Sequence, residues 1–219
     1  YLIFLIVFLF INIRYFFGNK KILNIEICFL FFICLVIFFN ISFNLTLSWD
    51  TEKFWFQKVL NFYNGNSIDN LTNTNRSYNP YLGDLIWAFF WKLSLISEEY
   101  SGRLFYGFFY IVSISLLVSN LKTKHIYKFI IILLIIIGTY DYRILFSGNK
   151  EILIFSILCL MLHFMNKFFQ KKSLNKNNEV LFFILSINLL LWSKQVGFVY
   201  LISLLIPLLF LSKLKLNNK

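Results

Sequence analysis

Ten carboxylates stand in this chain of 219 residues, and eight of them fall in two stretches, 50–99 and 141–151, that lie between long apolar runs. The first stretch opens Ser48-Trp49-Asp50-Thr51-Glu52 and closes Tyr78-Asn79-Pro80-Tyr81. The second holds Ser147-Gly148-Asn149-Lys150-Glu151. A carboxylate placed where a helix leaves a bilayer is costly unless water solvates it or function uses it. A used carboxylate takes or orients a proton. The stretches that hold Asp50, Glu52 and Glu151 are therefore where function is sought, and the cations considered beside them are Arg103, Arg143, Lys150 and Lys194.

Each candidate also has a plainer role. Asp50 suits the start of a helix, where an acid caps or meets the dipole. Glu52 reads first as an exposed first-turn acid; its helical position also puts it beside Phe56 and Val59, a desolvated setting of the kind that raises a carboxyl pKa. Asn149 and Glu151 suit the N-terminus of the apolar run that follows. Snorkelling accounts for Lys194 between two apolar runs. Arg103 follows Glu98-Glu99 and suits a structural ion pair. His163 reads as a packed residue of an apolar helix and His125 as part of a basic loop. Trp49, Trp55, Trp87 and Trp91 read as interface anchors, with stacking on a sugar as the alternative.

The elements that must position these groups are membrane helices. Composition is 59% hydrophobic, 21% aromatic and 14% charged, with mean hydropathy +0.72, far from the balance of soluble domains. The wealth of Phe, Ile, Asn and Lys fits an AT-rich genome. Tyr1 stands where an initiator Met is expected and the chain opens inside an apolar run, as in a piece of a longer protein. Cys28, Cys34 and Cys159 lie in apolar runs without metal-ligand spacing, so disulfide and zinc-finger frameworks fall away. The net charge of +11 comes from short clusters beside apolar runs, which is the placement membrane orientation requires, and nucleic acid is not the expected partner.

Apolar runs lie at about 1–13, 22–47, 102–119, 128–146, 150–166, 180–193 and 196–212. A further run, 81–96, is short and broken by Asp84 and Lys92. If it stays on one side, the connections at 14–21, 120–128, 167–179 and 213–219 share a face. That face then carries thirteen of the 21 basic residues with Glu179 as its acid, and the other face takes eight of the ten acids. The positive-inside rule favours this arrangement, with residues 48–103 outside. The fold expected is an all-α polytopic membrane protein: a single transmembrane domain over 1–219 with about seven crossing helices and interfacial helices in a first outer loop at about 48–101. Within that loop Asp50, Lys53, Gln57, Asn61 and Asn64 recur at steps of three and four, opposite Trp55, Phe56, Val59, Leu60, Phe62 and Tyr63. The pattern predicts an amphipathic helix lying at the headgroup boundary and ended by Gly65-Asn66. Residues 87–92, Trp-Ala-Phe-Phe-Trp-Lys, predict a second interfacial element.

In order along the chain stand Trp49-Asp50-Thr51-Glu52, then Tyr78-Asn79-Pro80-Tyr81-Leu82-Gly83, then Ser97-Glu98-Glu99-Tyr100-Ser101-Gly102-Arg103-Leu104. Ser147-Gly148-Asn149-Lys150-Glu151 and Ser193-Lys194-Gln195-Val196-Gly197 follow. This order, over about 22–212, resembles the GT-C superfamily of polytopic glycosyltransferases, especially its protein O-mannosyltransferase and aminoarabinose-transferase-like branch. The family's Pro-Pro pair is reduced here to Asn79-Pro80, and its second acid is a Glu after Lys150. The resemblance implies transfer of a sugar from a polyprenyl-phosphate donor to a lipid, glycan or protein acceptor, at the outer face of a bacterial inner or plasma membrane. It implies Asp50 as the carboxylate that orients the acceptor, Glu52 as its partner, and Glu151 as completing the site or holding a divalent cation. Tyr81, Arg103, Arg143, Lys150 and Lys194 are then the substrate and phosphate side. No cofactor is fixed by the sequence, and no ligand spacing decides whether a metal is used. The alternatives are a transporter or flippase for lipid-linked saccharides, which the scarcity of charge within the runs disfavours, and an O-antigen polymerase or ligase.

Overall fold

The computed structural model describes residues 25–43, 45–94, 97–139, 147–169 and 176–206. Among these it is mostly helical, without strands. The long helices are α1 (Ile25–Phe43), α4 (Tyr100–Ser119), α5 (His125–Thr139), α6 (Glu151–Phe169) and α7 (Lys176–Ser193), followed by α8 (Gly197–Ile206). Two shorter helices, α2 (Phe56–Tyr63) and α3 (Leu82–Leu93), lie between α1 and α4, joined by a 3-10 turn at Ile68–Asn73.

Contacts along the helices give their directions. Gly107 of α4 packs on Ile37 and Ile41 of α1, while Arg103 reaches back to the Leu45 carbonyl, so α1 and α4 are antiparallel. Lys128 at the start of α5 reaches the Ser119 carbonyl, and Thr139 at its end bonds Tyr110, so α5 runs back along α4. On α6, Phe155 meets Tyr110 and the His163 carbonyl accepts from Asn120, which makes α6 parallel to α4. Phe182 stacks on Phe164 and Lys194 pairs with Glu151, which turns α7 back again. The bundle therefore has two unlike ends. Residues 45–94, 97–99, 147–151 and 194–196 meet at one. Lys122, Lys124, Lys128 and Lys167 gather toward the other.

Seven crossing helices are not what the described residues show. One helix, Tyr100–Ser119, is long and apolar enough to cross a membrane by length and composition. At 1.5 Å per residue its 20 residues reach about 30 Å. The 15-residue α5 is shorter than that, and the runs at 1–13 and beyond 206 lie outside the described residues. The 12-residue α3 is too short to cross, and Leu45 and Arg103 meet at the same end of the bundle.

In the first loop the five residues Thr51–Trp55 form a π-helical turn that leads into α2. Asn64 closes α2, and Gly65 follows with φ +80°, a conformation that favours glycine. The expected polar stripe is largely exposed and its opposite side is covered, but protein covers it. Phe56 stacks on Trp91 at 6.3 Å and Tyr63 on Trp91 at 3.9 Å, while Val59 is fully buried. Glu52 does not share that side. The π turn takes an extra residue per turn, which rotates Glu52 into solvent, and the desolvated setting expected for it is absent. Nor are Trp55, Trp87 and Trp91 belt residues. They are 6%, 0% and 7% exposed and form the core beneath the loop, whereas Trp49 is 65% exposed.

Candidate functional site

Two loops far apart in sequence are hydrogen-bonded at the acidic end. The Ser48 hydroxyl lies 2.9 Å from Asn149 Oδ1 and the Thr51 hydroxyl 3.1 Å from the same oxygen. The Ser48 amide donates to the Ser147 carbonyl at 3.1 Å. Gly148, with φ +84°, makes this approach feasible. A Cβ there would stand 2.6 Å from Thr51 Cγ2 and 2.6 Å from the Trp87 ring. Ser48 also accepts the Thr51 amide at 3.3 Å and so caps the turn itself. Asp50, although at the first position of that turn, makes no side-chain capping bond. It is exposed, as is Glu52, and neither side chain forms a hydrogen bond or ion pair among the described residues.

Beneath this junction lies a buried ionic cluster. Lys150 Nζ donates to Asp84 Oδ2 at 2.7 Å and to the Pro80 carbonyl at 2.9 Å, with both side chains of the pair 1% exposed. It also stands 4.1 Å above the Trp55 ring, a cation–π placement. Lys58 is equally buried and donates to the Arg76 carbonyl at 2.7 Å and the Asn79 carbonyl at 3.1 Å. Asp84 Oδ1 is buried without a hydrogen-bond partner. Burial pushes the Asp84 carboxyl up to about 6 against the pull of Lys150 and Lys58. The same desolvation pushes Lys150 and Lys58 below the ordinary lysine value. Gly83 lets Lys150 and Leu153 approach α3, and Tyr106 donates to the Gly83 carbonyl at 2.6 Å.

On the outer side of the same turn, Glu151 forms an ion pair with Lys194 that is part-exposed on both partners. The pair stands at a cavity of about 290 Å³ whose apolar wall includes Ile154, Phe155 and Leu158 of α6, with Val196 and Tyr200 opposite. Tyr81 reaches the same side of the bundle, its ring 6.1 Å from Trp192 of α7.

The structure thus brings Ser48, Thr51, Asn149, Lys150, Glu151 and Lys194 together and leaves others apart. Arg103 is not open to a phosphate. It is 1% exposed and paired with Glu99 at 2.6 Å, the structural ion pair foreseen as its plainer role. Burial raises Glu99 while Arg103 opposes the rise. Lys150 is likewise turned inward to Asp84 because the turn residue before α6 points under the loop rather than out of it. Arg143 lies outside the described residues. Asp84 and Lys58 were missed by the sequence reading, although each carried a signal. Asp84 interrupts an apolar run. Lys58 sits three residues after Trp55 and four before Phe62, on the apolar side of α2. Among the described residues no three His, Cys, Asp or Glu side chains gather as a metal ligand set. Comparison with protein-family models, with characterised proteins and with solved structures finds no match.

Proposed function

We propose that the chain is a membrane-embedded glycosyltransferase of GT-C type, with about seven crossing helices, that moves a sugar from a polyprenyl-phosphate donor to an acceptor at the acidic end of the bundle. The observation that carries this reading is the junction itself. The loop bearing Asp50 and the turn bearing Glu151 are hydrogen-bonded through Ser48, Thr51 and Asn149. Two further observations support it. Lys122, Lys124, Lys128 and Lys167 belong to the end opposite the acids, as a positive-inside arrangement requires. The helices also turn large apolar side chains outward, Phe31 at 64%, Leu134 at 61% and Phe198 at 59% exposure, a surface suited to lipid.

In this reading Asp50, free of any capping role, takes the proton of the acceptor hydroxyl or amine as that group attacks the sugar C1. Glu52 assists on the solvent side. The bond between C1 and the phosphate oxygen breaks as the bond to the acceptor forms, and the lipid phosphate leaves with the electron pair. Lys194 meets that developing charge, with Glu151 holding its ammonium in place before substrate arrives. The cavity beside the pair takes the first isoprene units, and Tyr81 borders the sugar. Lys150 and Arg103 support the site from below instead of touching phosphate. The membrane is the bacterial inner or plasma membrane and the site faces outward.

Membranes carrying the protein, given radiolabelled polyprenyl-phosphate hexose or pentose, are expected to move label into a lipid, glycan or protein fraction in a time-dependent way. Absence of transfer from every such donor, with the protein shown to be folded and in the membrane, overturns the reading.

A further inference from the structure

The end of the bundle away from the junction holds a second cavity, of about 220 Å³, between α1, α4 and α5. Leu30, Val112, Leu116, Phe129 and Ile132 supply its apolar wall, and Lys128 stands among its lining residues with Ser119. The serines do not make it polar. Ser115 donates to the Ile111 carbonyl at 2.7 Å and Ser119 to the Leu116 carbonyl at 2.6 Å, so their hydroxyls are spent on their own helix. Lys128 is held loosely, 3.5 Å from the Ser119 carbonyl. Lys122 and Lys124 are exposed on the connection into α5, and residues 119–139 contain no acid. α5 continues the apolar surface outward through Ile126, Ile130 and Leu134.

We propose that this crevice binds an anionic glycerophospholipid, with its phosphate on Lys128 and one acyl chain along the wall formed by Leu30, Val112, Leu116, Phe129 and Ile132. A greasy slot opening beside three lysines, on a segment 119–139 that carries no acid of its own, fits an amphiphile of negative head and apolar tail. A soluble anion gains nothing from the wall, and a zwitterionic lipid, whose choline cation offsets its phosphate, gains little net attraction from the lysines. The inference rests on the membrane placement proposed above but not on the transferase chemistry.

The test titrates the detergent-solubilised full chain with phosphatidylglycerol or phosphatidylcholine and reads bound lipid by native mass spectrometry. Carbonate extraction of membranes comes first. Release of the protein into the soluble fraction overturns the membrane placement and this inference with it. If the protein stays with the membrane, phosphatidylglycerol is expected to bind at least about tenfold more tightly than phosphatidylcholine, as lysines near an anionic head allow. Lys128→Gln is expected to reduce that preference several-fold while leaving phosphatidylcholine binding unchanged. Ile132→Trp, which fills the slot, is expected to lower binding of both lipids. Lys53→Gln, at the other end, is the control and is expected to change neither. Inorganic phosphate is expected not to displace the lipid. Equal binding of the two lipids overturns the proposal even with the membrane placement intact. So does a preference that survives Lys128→Gln, or displacement by inorganic phosphate.

Discussion

Lys150 and Glu151 are neighbours in the chain, each in an ion pair, and the two pairs live in different physical regimes. Lys150 points under the first loop to Asp84, with both partners 1% exposed. Glu151 points out to Lys194, with the partners 47% and 27% exposed. Water has been stripped from the first pair, so its charges hold the fold and cost heavily if separated. The second pair keeps much of its hydration, so it adds little to stability and can exchange partners. One turn therefore carries a lock on its inner side and an exchangeable, part-exposed pair on its outer side. Of the two lysines, Lys194 is open and Lys150 is committed, so under the proposed function Lys194 is the one left to meet a phosphate.

Removing one partner of the inner pair is the most forceful way to break this contrast. Asp84→Ala leaves Lys150 and Lys58 buried without their carboxylate, an expected loss of about 3–5 kcal/mol. A large fall in melting temperature or failure to accumulate in membranes is the expected result. A melt within about 1 kcal/mol of wild type would show the pair to be solvated like the outer one. Next in size is Gly148→Ala. Its Cβ would press on Thr51 and Trp87 at 2.6 Å in a left-handed backbone. The expected cost is about 1–3 kcal/mol, measurable by denaturant titration in detergent, and a neutral result would mean that the two loops do not meet as described.

The pH dependence of the inner pair has a definite sign. Burial holds Asp84 at about 6, above the 3.8 of an ordinary aspartate. Between those values the folded protein keeps a proton that the unfolded chain has released. Stability from this group is thus fully present below about 3.8 and is lost as pH rises through about 6. Lys150 is pushed down by the same burial, so its slope is opposite, with stability recovering as pH rises through its lowered value. Melting temperatures of wild type and Asp84→Asn, measured in parallel from pH 4 to pH 7, should show the wild type losing ground to the variant. A flat difference would place Asp84 in contact with water. The smallest effect on stability is expected at the outer pair, where Lys194→Gln changes it by about 0–1 kcal/mol. Transfer activity should nevertheless fall strongly, and a variant equally stable and fully active would remove Lys194 from the site.

The sequence announced the two-ended layout because charge clusters between apolar runs report sidedness directly. Gly65 marked the end of α2, and the shortness of run 81–96 marked α3 as unable to cross. Its account of burial was weaker. Trp87 and Trp91 have the spacing of a membrane belt, and the same spacing serves a packed helix face; α2 decides between them by covering that face. Glu52 is the exposed first-turn acid of its plainer reading, and only the alternative desolvated setting beside Phe56 and Val59 fails, because a π turn leaves no signature in residue type. Asp84 was read only as an interruption because its partner lies 66 residues away. A buried charge is intelligible only with its countercharge, and that pairing is a property of the fold. The candidate site was legible as motifs in order, whereas which cation faces outward was not.

The central claim is that Asp50, exposed beside the Thr51–Asn149 contact and free of any cap, is the acceptor-orienting carboxylate. Label transfer from polyprenyl-phosphate sugar should be measured in membranes carrying wild type, Asp50→Asn or Asp69→Asn at matched protein levels. Asp69 is an exposed acid of the same loop, on the 3-10 turn, with no part in the junction. The account predicts that Asp50→Asn loses about 10²–10⁴-fold, as expected for a general base, while Asp69→Asn stays near wild type. Full transfer by Asp50→Asn would contradict it, as would an equal loss in both variants.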